Sequence, residues 1–289
     1  MTRVGVLGPG GVGGVLAGRL DRAGHEVVLV ATERTAAAIG AGGLRYTGPD
    51  GDWLASVEVR SLLVAPVDVL VVATKAMDLT AALERVPAAL LRQTVVVPLL
   101  NGVDHLPYLR AQLPDSEVVA SSISVEATRH RPGVVEQVSS FCDVGVSVVG
   151  EGGRTWAALA QEAGCAVTTA TDDATILWRK LSFLAPLALL TSSAAAPIGP
   201  AIENRPAAVR PIVEEAAEAA ATAGVTVDAD VVEQRLRALP AGMKSSMLRD
   251  LEAGRAMELD AIAGPIIRAL GRDGAPATVE AVGSILTHG

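Results

Sequence analysis

Lysine is almost missing from this chain. Three residues, Lys75, Lys180 and Lys244, stand against twenty-one arginines, so arginine serves wherever a generic surface cation will do, and each lysine that remains asks for a reason. Asparagine is scarcer still, with only Asn101 and Asn204. Aromatics are 2% of the residues, and no stretch interleaves them with basic residues in the way that stacks single-stranded bases. A net charge of −8 and the lack of any Lys/Arg cluster further exclude nonspecific nucleic-acid binding. The two cysteines, Cys142 and Cys165, have no metal-ligand spacing. They make no disulfide framework, suit a reducing cytoplasm, and are expected to be inert small apolar residues. The one membrane-like run, from Leu181 to Ile198, is interrupted by Pro186, Thr191, Ser192, Ser193 and Pro197 and entered through Arg179 and Lys180. It reads as a buried helix, and no membrane partner is expected. No targeting segment is expected either, because the first residues run straight into a strand and a glycine loop.

What is present is a large apolar core. Half of the 289 residues are hydrophobic and 19% are charged, which argues against disorder and is enough for two domains. Val4–Leu7 is a short apolar strand, and Gly8-Pro9-Gly10-Gly11-Val12-Gly13 leads into a helical pattern. In the spacing G-x-G-x-x-G, Gly8 makes the tight turn, Gly10 lets backbone approach a pyrophosphate, and Gly13 lets helix and strand pack closely. The N–H groups of the helix start at Gly11, Val12 and Gly13 then bind the anion. A second strand, Glu26–Val30, ends in Ala31-Thr32-Glu33-Arg34. The absence of a carboxylate at the first two of these positions, with Thr32 and Arg34 close by, favours the 2′-phosphate of NADPH over the bare ribose of NADH. Glu33 leaves the second cofactor open.

Leu44–Tyr46 and Leu54–Val59 read as strands around the turn Gly48–Gly51. Val67–Val72 and Val95–Leu100 are uninterrupted apolar strands of the parallel-sheet kind. They end in Lys75 and Asn101, over the crevice where open α/β sheets bind ligands. Lys75 could instead be a solvated helix-start lysine, and Asn101 could cap a helix beginning near Val103. His105, inside that helix, reads as packing or surface. Segments between Glu117 and Gly150 read as the far edge of the same sheet, followed by a helix from Arg154 to Gly164 and a strand at Val167–Thr169. The expected architecture is α/β: a Rossmann dinucleotide-binding domain over residues 1–170, then an all-helical domain over residues 171–289.

The second half is helical and rich in alanine. Asp172 or Asp173 caps the helix that carries Lys180 in the apolar setting Trp178-Arg179-Lys180-Leu181, where an ammonium is costly unless paired. Further helices read at 206–224, 229–239, 246–253 and 257–270. Their apolar faces could bury a homodimer interface, although such faces more often pack internally. Ser245 and Ser246 begin one of these helices, and Glu258 lies near the start of another.

Gly8-x-Gly10-x-x-Gly13, Thr74-Lys75-Ala76, Leu100-Asn101-Gly102-Val103, Trp178-x-Lys180-Leu181, Ser245-Ser246-Met247-Leu248-x-Asp250 and Glu258-x-Asp260 together resemble the ketopantoate reductase family along the whole chain. The resemblance implies a cytoplasmic reductase in which NADPH and a small 2-oxo acid meet in a cleft. It implies Lys180 as general acid, Glu258 holding its ammonium, Lys75 and Asn101 between cofactor and substrate, and Ser246 on the substrate. An aimed ammonium suits the chemistry, since hydride delivered to a ketone carbon leaves charge on the oxygen.

The sequence also departs from that family. Leu184, Ala188 and, further on, Ile198 stand where the family has asparagines that grip a polar hydroxy acid. An apolar wall penalises an unpaired hydroxyl, so a substrate less polar than ketopantoate is expected. Two rival readings are a non-catalytic NADP(H)-binding sensor or interaction protein, and an imine or β-hydroxy acid reductase on the same two-domain plan. The reductase reading places Lys180 and Glu258 together, facing the glycine turn, a pairing that binding alone would not need.

Overall fold

In a computed structural model, which describes residues 1–288, the chain divides into two compact units. The first contains residues 1–100 and 105–176. The second contains Asn101–Asp104 together with the chain from Leu177 onward.

The first unit is built on a six-stranded parallel sheet. Its strands lie in the order Glu58–Arg60, Glu26–Val30, Arg3–Leu7, Val69–Val72, Val95–Pro98 and Glu117–Val118. Val4, Val6, Leu29, Leu70 and Val97 are fully buried, as befits strands covered on both faces. The chain reverses direction across the sheet between Arg3–Leu7 and Val69–Val72, the topological switch point that defines the ligand crevice of doubly wound sheets. Gly8 follows the first of these strands, and Ala73, Thr74 and Lys75 follow the second. Ala73 donates to the Leu7 carbonyl at 2.9 Å, which fixes the two strand ends side by side.

The region between Glu117 and Gly150 corrects the expectation of a single sheet. Only Glu117–Val118 joins the parallel sheet. Ala127–Arg131 and Val134–Gln137 instead pair with Leu44–Gly48 and Gly51–Ala55 in a four-stranded sheet. Ser121–Ser124, Asp143–Ser147 and Ala166–Ala170 form a third sheet of three strands. The run expected as one strand from Leu54 to Val59 is likewise split, its first part in the four-stranded sheet and its second at the edge of the parallel one.

The physical reason is a demand for cover over the helix Gly11–Arg22. Tyr46 packs on its Gly18, stacks on Trp53 with ring centroids 3.9 Å apart, and donates to Gln137 at 3.0 Å. Gln137 also accepts from the buried Arg19 of that helix at 2.8 Å. A polar group buried this deeply must be paired, and this arrangement supplies the pairs.

The two cysteines are in contact. Both are free and buried, with their sulfurs 3.1 Å apart on neighbouring strand starts. The contact with Cys165 holds the Cys142 thiol below its usual range, while the same contact pushes the Cys165 thiol up.

The long helix Asp173–Ser193 opens with Asp172 accepting from the Thr175 N–H at 2.7 Å. Beyond Leu177 it belongs to the second unit, with Ile198–Asn204, Pro206–Thr222, Ala229–Arg237, Ser246–Glu252, Leu259–Leu270 and Pro276–His288. The first and last of these six shorter helices were not expected. Ile198–Asn204 spans fewer than two turns, too few for a periodic signal, and Pro276–His288 has a weakly segregated apolar face. Val209, Ile212, Val213, Ala216, Ile262, Ala263 and Ile266 form the packed centre of this unit. Glu215 is buried beside them and accepts from the Ala277 and Thr278 N–H groups, each at 2.7 Å, which satisfies a helix start that would otherwise be orphaned. Glu215→Gln, which turns one of the two accepting oxygens into a donor, should therefore cost about 1–3 kcal/mol, the range for leaving a buried N–H without its acceptor. Urea unfolding measures it, and an unchanged midpoint would contradict the assignment.

Candidate active site

Lys180 lies on the long helix, between the buried residues Leu177, Trp178 and Leu181. Its side chain is half-buried, and its Nζ donates to Asn101 Oδ1 at 2.9 Å. The Asn101 amide passes the contact on, with Nδ2 donating to Glu258 Oε2 at 2.9 Å. The three side chains form one chain of hydrogen bonds with an amide between ammonium and carboxylate. Burial pulls the Lys180 ammonium down to about 8, and the Glu258 carboxylate opposes that pull. These are the two opposed effects expected of a cation taken out of water beside an anion.

The backbone explains why Asn101 reaches this position. It does not cap a helix, because the following helix starts only at His105. Gly102 has φ +85°, and a Cβ there would lie 2.3 Å from the Ala261 carbonyl oxygen. Only glycine can make that turn against the helix Leu259–Leu270, and the turn sets Asn101 beside the residue preceding that helix, Glu258. Glu258 stands at the N-cap position without capping the helix through its side chain, and its carboxylate accepts from Asn101.

The helix face of Lys180 continues at i+4, i+8 and i+11. Leu184 is half-buried, Ala188 is buried, and Thr191 is buried. The Thr191 hydroxyl bonds the Leu187 carbonyl and lies 2.7 Å from the Ser245 hydroxyl. Ser245 in turn caps the helix Ser246–Glu252 by accepting from the Leu248 N–H at 3.0 Å. Ser246 is exposed at the first position of that helix, Ile198 is buried, and Asn204 is exposed.

In the first unit, Gly8 has φ +89°, and a Cβ on Gly13 would lie 2.3 Å from the Gly8 carbonyl oxygen. On the Cβ side of Gly10 there is nothing within 4 Å. The helix start at Gly11, Val12 and Gly13 has no side-chain cap and no acidic residue in its first turn. Those N–H groups and that open approach fit the pyrophosphate of a dinucleotide. Lys75 is half-buried and precedes the turn Ala76–Asp78, at the switch point beside Gly8. Thr32 is the N-cap of the helix Glu33–Gly42, accepting from the Thr35 N–H at 3.4 Å, and Arg34 is exposed in its first turn.

Residues 4–145 match the family described as ketopantoate reductase PanE/ApbA, and residues 174–280 match its C-terminal region. The chain belongs to the ketopantoate reductase family. Among its relatives, the 2-dehydropantoate 2-reductase of Caulobacter vibrioides is 31% identical over 93% of this chain and 92% of its own length. That of Mycobacterium tuberculosis is 30% identical over 92% and 90%. The solved PanE/ApbA family ketopantoate reductase from Ralstonia eutropha superposes with a TM-score of 0.89 at 28% identity, covering 99% of this chain and 98% of that one. A D-mandelate dehydrogenase structure with NADH and anilino(oxo)acetate has the same fold, with a TM-score of 0.86 at 21% identity over 99% and 98%. As a ketopantoate reductase family member, the protein is an oxidoreductase acting on CH–OH groups, in a family that depends on pyridine nucleotides.

Sequence reasoning singled out Lys180 and Asn101, and the resemblance implied Glu258 holding the ammonium; in the structure the three side chains lie in one chain of hydrogen bonds. The Asn101 amide stands between ammonium and carboxylate. Sequence reasoning missed Thr191, whose hydroxyl anchors the Ser245 cap, because a threonine in an apolar run reads as core unless its partner is known. With only three lysines in the chain, isotope-labelled methylation resolves each amine by NMR. The Lys180 signal, assigned by its loss in Lys180→Arg and so told from the α-amino group that also titrates near 8, is expected to titrate at about 8, and Glu258→Gln should move that midpoint lower, because the carboxylate that raises it is gone. A Lys180 signal titrating near the ordinary lysine value would refute the burial of its ammonium.

Proposed function

We propose that the protein is an NADPH-dependent reductase of a small 2-oxo acid less polar than ketopantoate, with Lys180 as general acid. The observation that carries this reading is the Lys180–Asn101–Glu258 chain of hydrogen bonds, a construction that dinucleotide binding alone would not need. The nicotinamide, when bound, supplies a hydride to the ketone carbon. Lys180 stabilises the charge growing on the ketone oxygen and donates its proton there, leaving a 2-hydroxy acid and a neutral amine that solvent reprotonates. Glu258, through the Asn101 amide, keeps the amine protonated against the burial that would neutralise it. Lys75 and Asn101 orient cofactor and substrate, and Ser246 hydrogen-bonds the substrate. The acid must carry its proton, so reduction is expected to fail as pH rises through about 8.

The apolar residues on the Lys180 face support the substrate class. Leu184 and Ala188 offer no hydrogen bond to a hydroxyl, and the nearby Thr191 hydroxyl is already engaged. Aliphatic and aryl 2-oxo acids therefore fit better than ketopantoate. For the cofactor, Thr32 and the exposed Arg34 favour the 2′-phosphate. The D-mandelate dehydrogenase structures hold NADH, so both cofactors belong in the assay.

Consumption of NADPH and of NADH, followed across a panel of polar, aliphatic and aryl 2-oxo acids, tests the reading directly. NADPH binding without turnover of any of them would favour a sensor. Lys180→Ala should lower kcat by about 10²–10⁴-fold, the usual worth of a general acid, with cofactor affinity unchanged; an equal kcat would remove Lys180 from the mechanism. Leu184→Asn with Ala188→Asn should raise ketopantoate reduction relative to aliphatic acids. Arg34→Ala should weaken NADPH roughly tenfold or more while sparing NADH, as loss of one charge-assisted hydrogen bond implies.

A further inference from the structure

The segment that carries Asn101 is held at a second point, away from Gly102. Arg268, on the helix Leu259–Leu270, donates through Nη1 to Asp260 Oδ1 at 2.9 Å and through Nη2 to Asp104. Asp104 is the third residue past Asn101, and Asp260 is the second past Glu258. One guanidinium therefore joins the two segments whose side chains meet beside Lys180. It reaches both acids because Gly264 lies beneath it: a Cβ at that position would be 2.6 Å from Nη2, 2.7 Å from Nη1 and 2.6 Å from Asp260 Oδ1. Any side chain at 264 would push the fork off its seat.

The exposure of these groups decides what the arrangement does. The side chains of Arg268 and Asp104 are about half exposed, and Asp260 more so. Ion pairs as wet as these add little to folding stability. Their geometric effect is another matter. With the Gly102 contact alone, Asn101–Asp104 can pivot about the Ala261 carbonyl, and the amide swings with it. A tie two residues further along removes that freedom.

We propose that Arg268, seated on Gly264, is a positioning residue that pins Asn101–Asp104 to the helix behind Glu258 and so keeps the Asn101 amide in register between Lys180 and Glu258. Its consequence for turnover rests on the reading of Lys180 as the acid. Its consequence for the Lys180 amine does not.

Asp104→Ala removes the tie but leaves Arg268 on Asp260, and Asp104→Glu keeps a carboxylate within reach. For each variant the measurements are the melting temperature, NADPH affinity, the Lys180 titration midpoint from labelled methyl groups, and kcat against pH. In Asp104→Ala the melting temperature and NADPH affinity should stay as in the wild type. The Lys180 midpoint should fall, since the amine loses a well-placed acceptor. The alkaline limb of kcat should move down with it, and kcat should drop about tenfold, within what a ~1 Å misplacement costs. Asp104→Glu should restore both. Gly264→Ala should reproduce the Asp104→Ala pattern; if it unfolds, Asp104→Ala, a surface change, still decides. An unmoved Lys180 midpoint in Asp104→Ala overturns the proposal. So does a midpoint shift matched by an equal loss of NADPH affinity and melting temperature, which would mark general loosening. If wild-type kcat has no alkaline limb, or Lys180→Ala keeps full kcat, the acid assignment fails by itself, and the midpoint alone then upholds or overturns the tie.

Discussion

The buried ammonium of Lys180 sets the terms for the rest of the helical unit. Apolar neighbours on its own helix draw its proton affinity down, and the Glu258 carboxylate draws it back up. A carboxylate in direct contact would hold the proton more firmly still. Interposing an amide leaves the ammonium a full hydrogen bond, through Asn101 Oδ1, while placing the negative charge an amide's width further away, which roughly halves its Coulomb pull at a given dielectric. The amide dipole is also aligned with the field, since its oxygen faces the cation and its N–H faces the anion.

That arrangement shows why a four-residue piece of the chain groups with the helices. After the strand Val95–Pro98 and Leu99–Leu100, the backbone gives up Asn101–Asp104 to the second unit and returns at His105. The left-handed turn at Gly102, its close approach to the Ala261 carbonyl and the Arg268 fork all act on those four residues. Three separate constraints on so short a segment are hard to account for by stability alone. They are what fixing one side-chain amide requires.

Much of this was legible in the sequence, and what was not has identifiable reasons. The glycine turn was readable because its spacing, a preceding strand and a following helix all agree. Lys180 stood out because lysine is rare here and an apolar run is a poor place for one. Asn101 was readable as a candidate site residue, but its partners were not, since the bonds to Lys180 and Glu258 span 79 and 157 residues. Glu258 on its own would have passed as a surface carboxylate; only the resemblance singled it out. The two smaller sheets were misread as the far edge of the parallel one because strands of four or five residues carry no label for the neighbour they pair with, and Leu44–Gly48 finds Val134–Gln137 across some ninety residues. Gly264 could not be recognised, because its role is defined by what lies above it and not by its own conformation.

The same logic bears on selectivity. A pocket that recognises a hydroxyl must keep its own polar groups unsatisfied until the substrate arrives, and each such group costs free energy while it waits. On the Lys180 face this chain keeps none waiting. Thr191 spends its hydroxyl on the Leu187 carbonyl and on Ser245, the cap of the next helix, while Leu184 and Ala188 have nothing to offer. A wall with no unmet hydrogen bonds gains nothing from a polar substrate and loses the water such a substrate would have to shed. The positions expected to grip a hydroxy acid therefore offer no free polar group on this face, which supports the proposal of a 2-oxo acid less polar than ketopantoate.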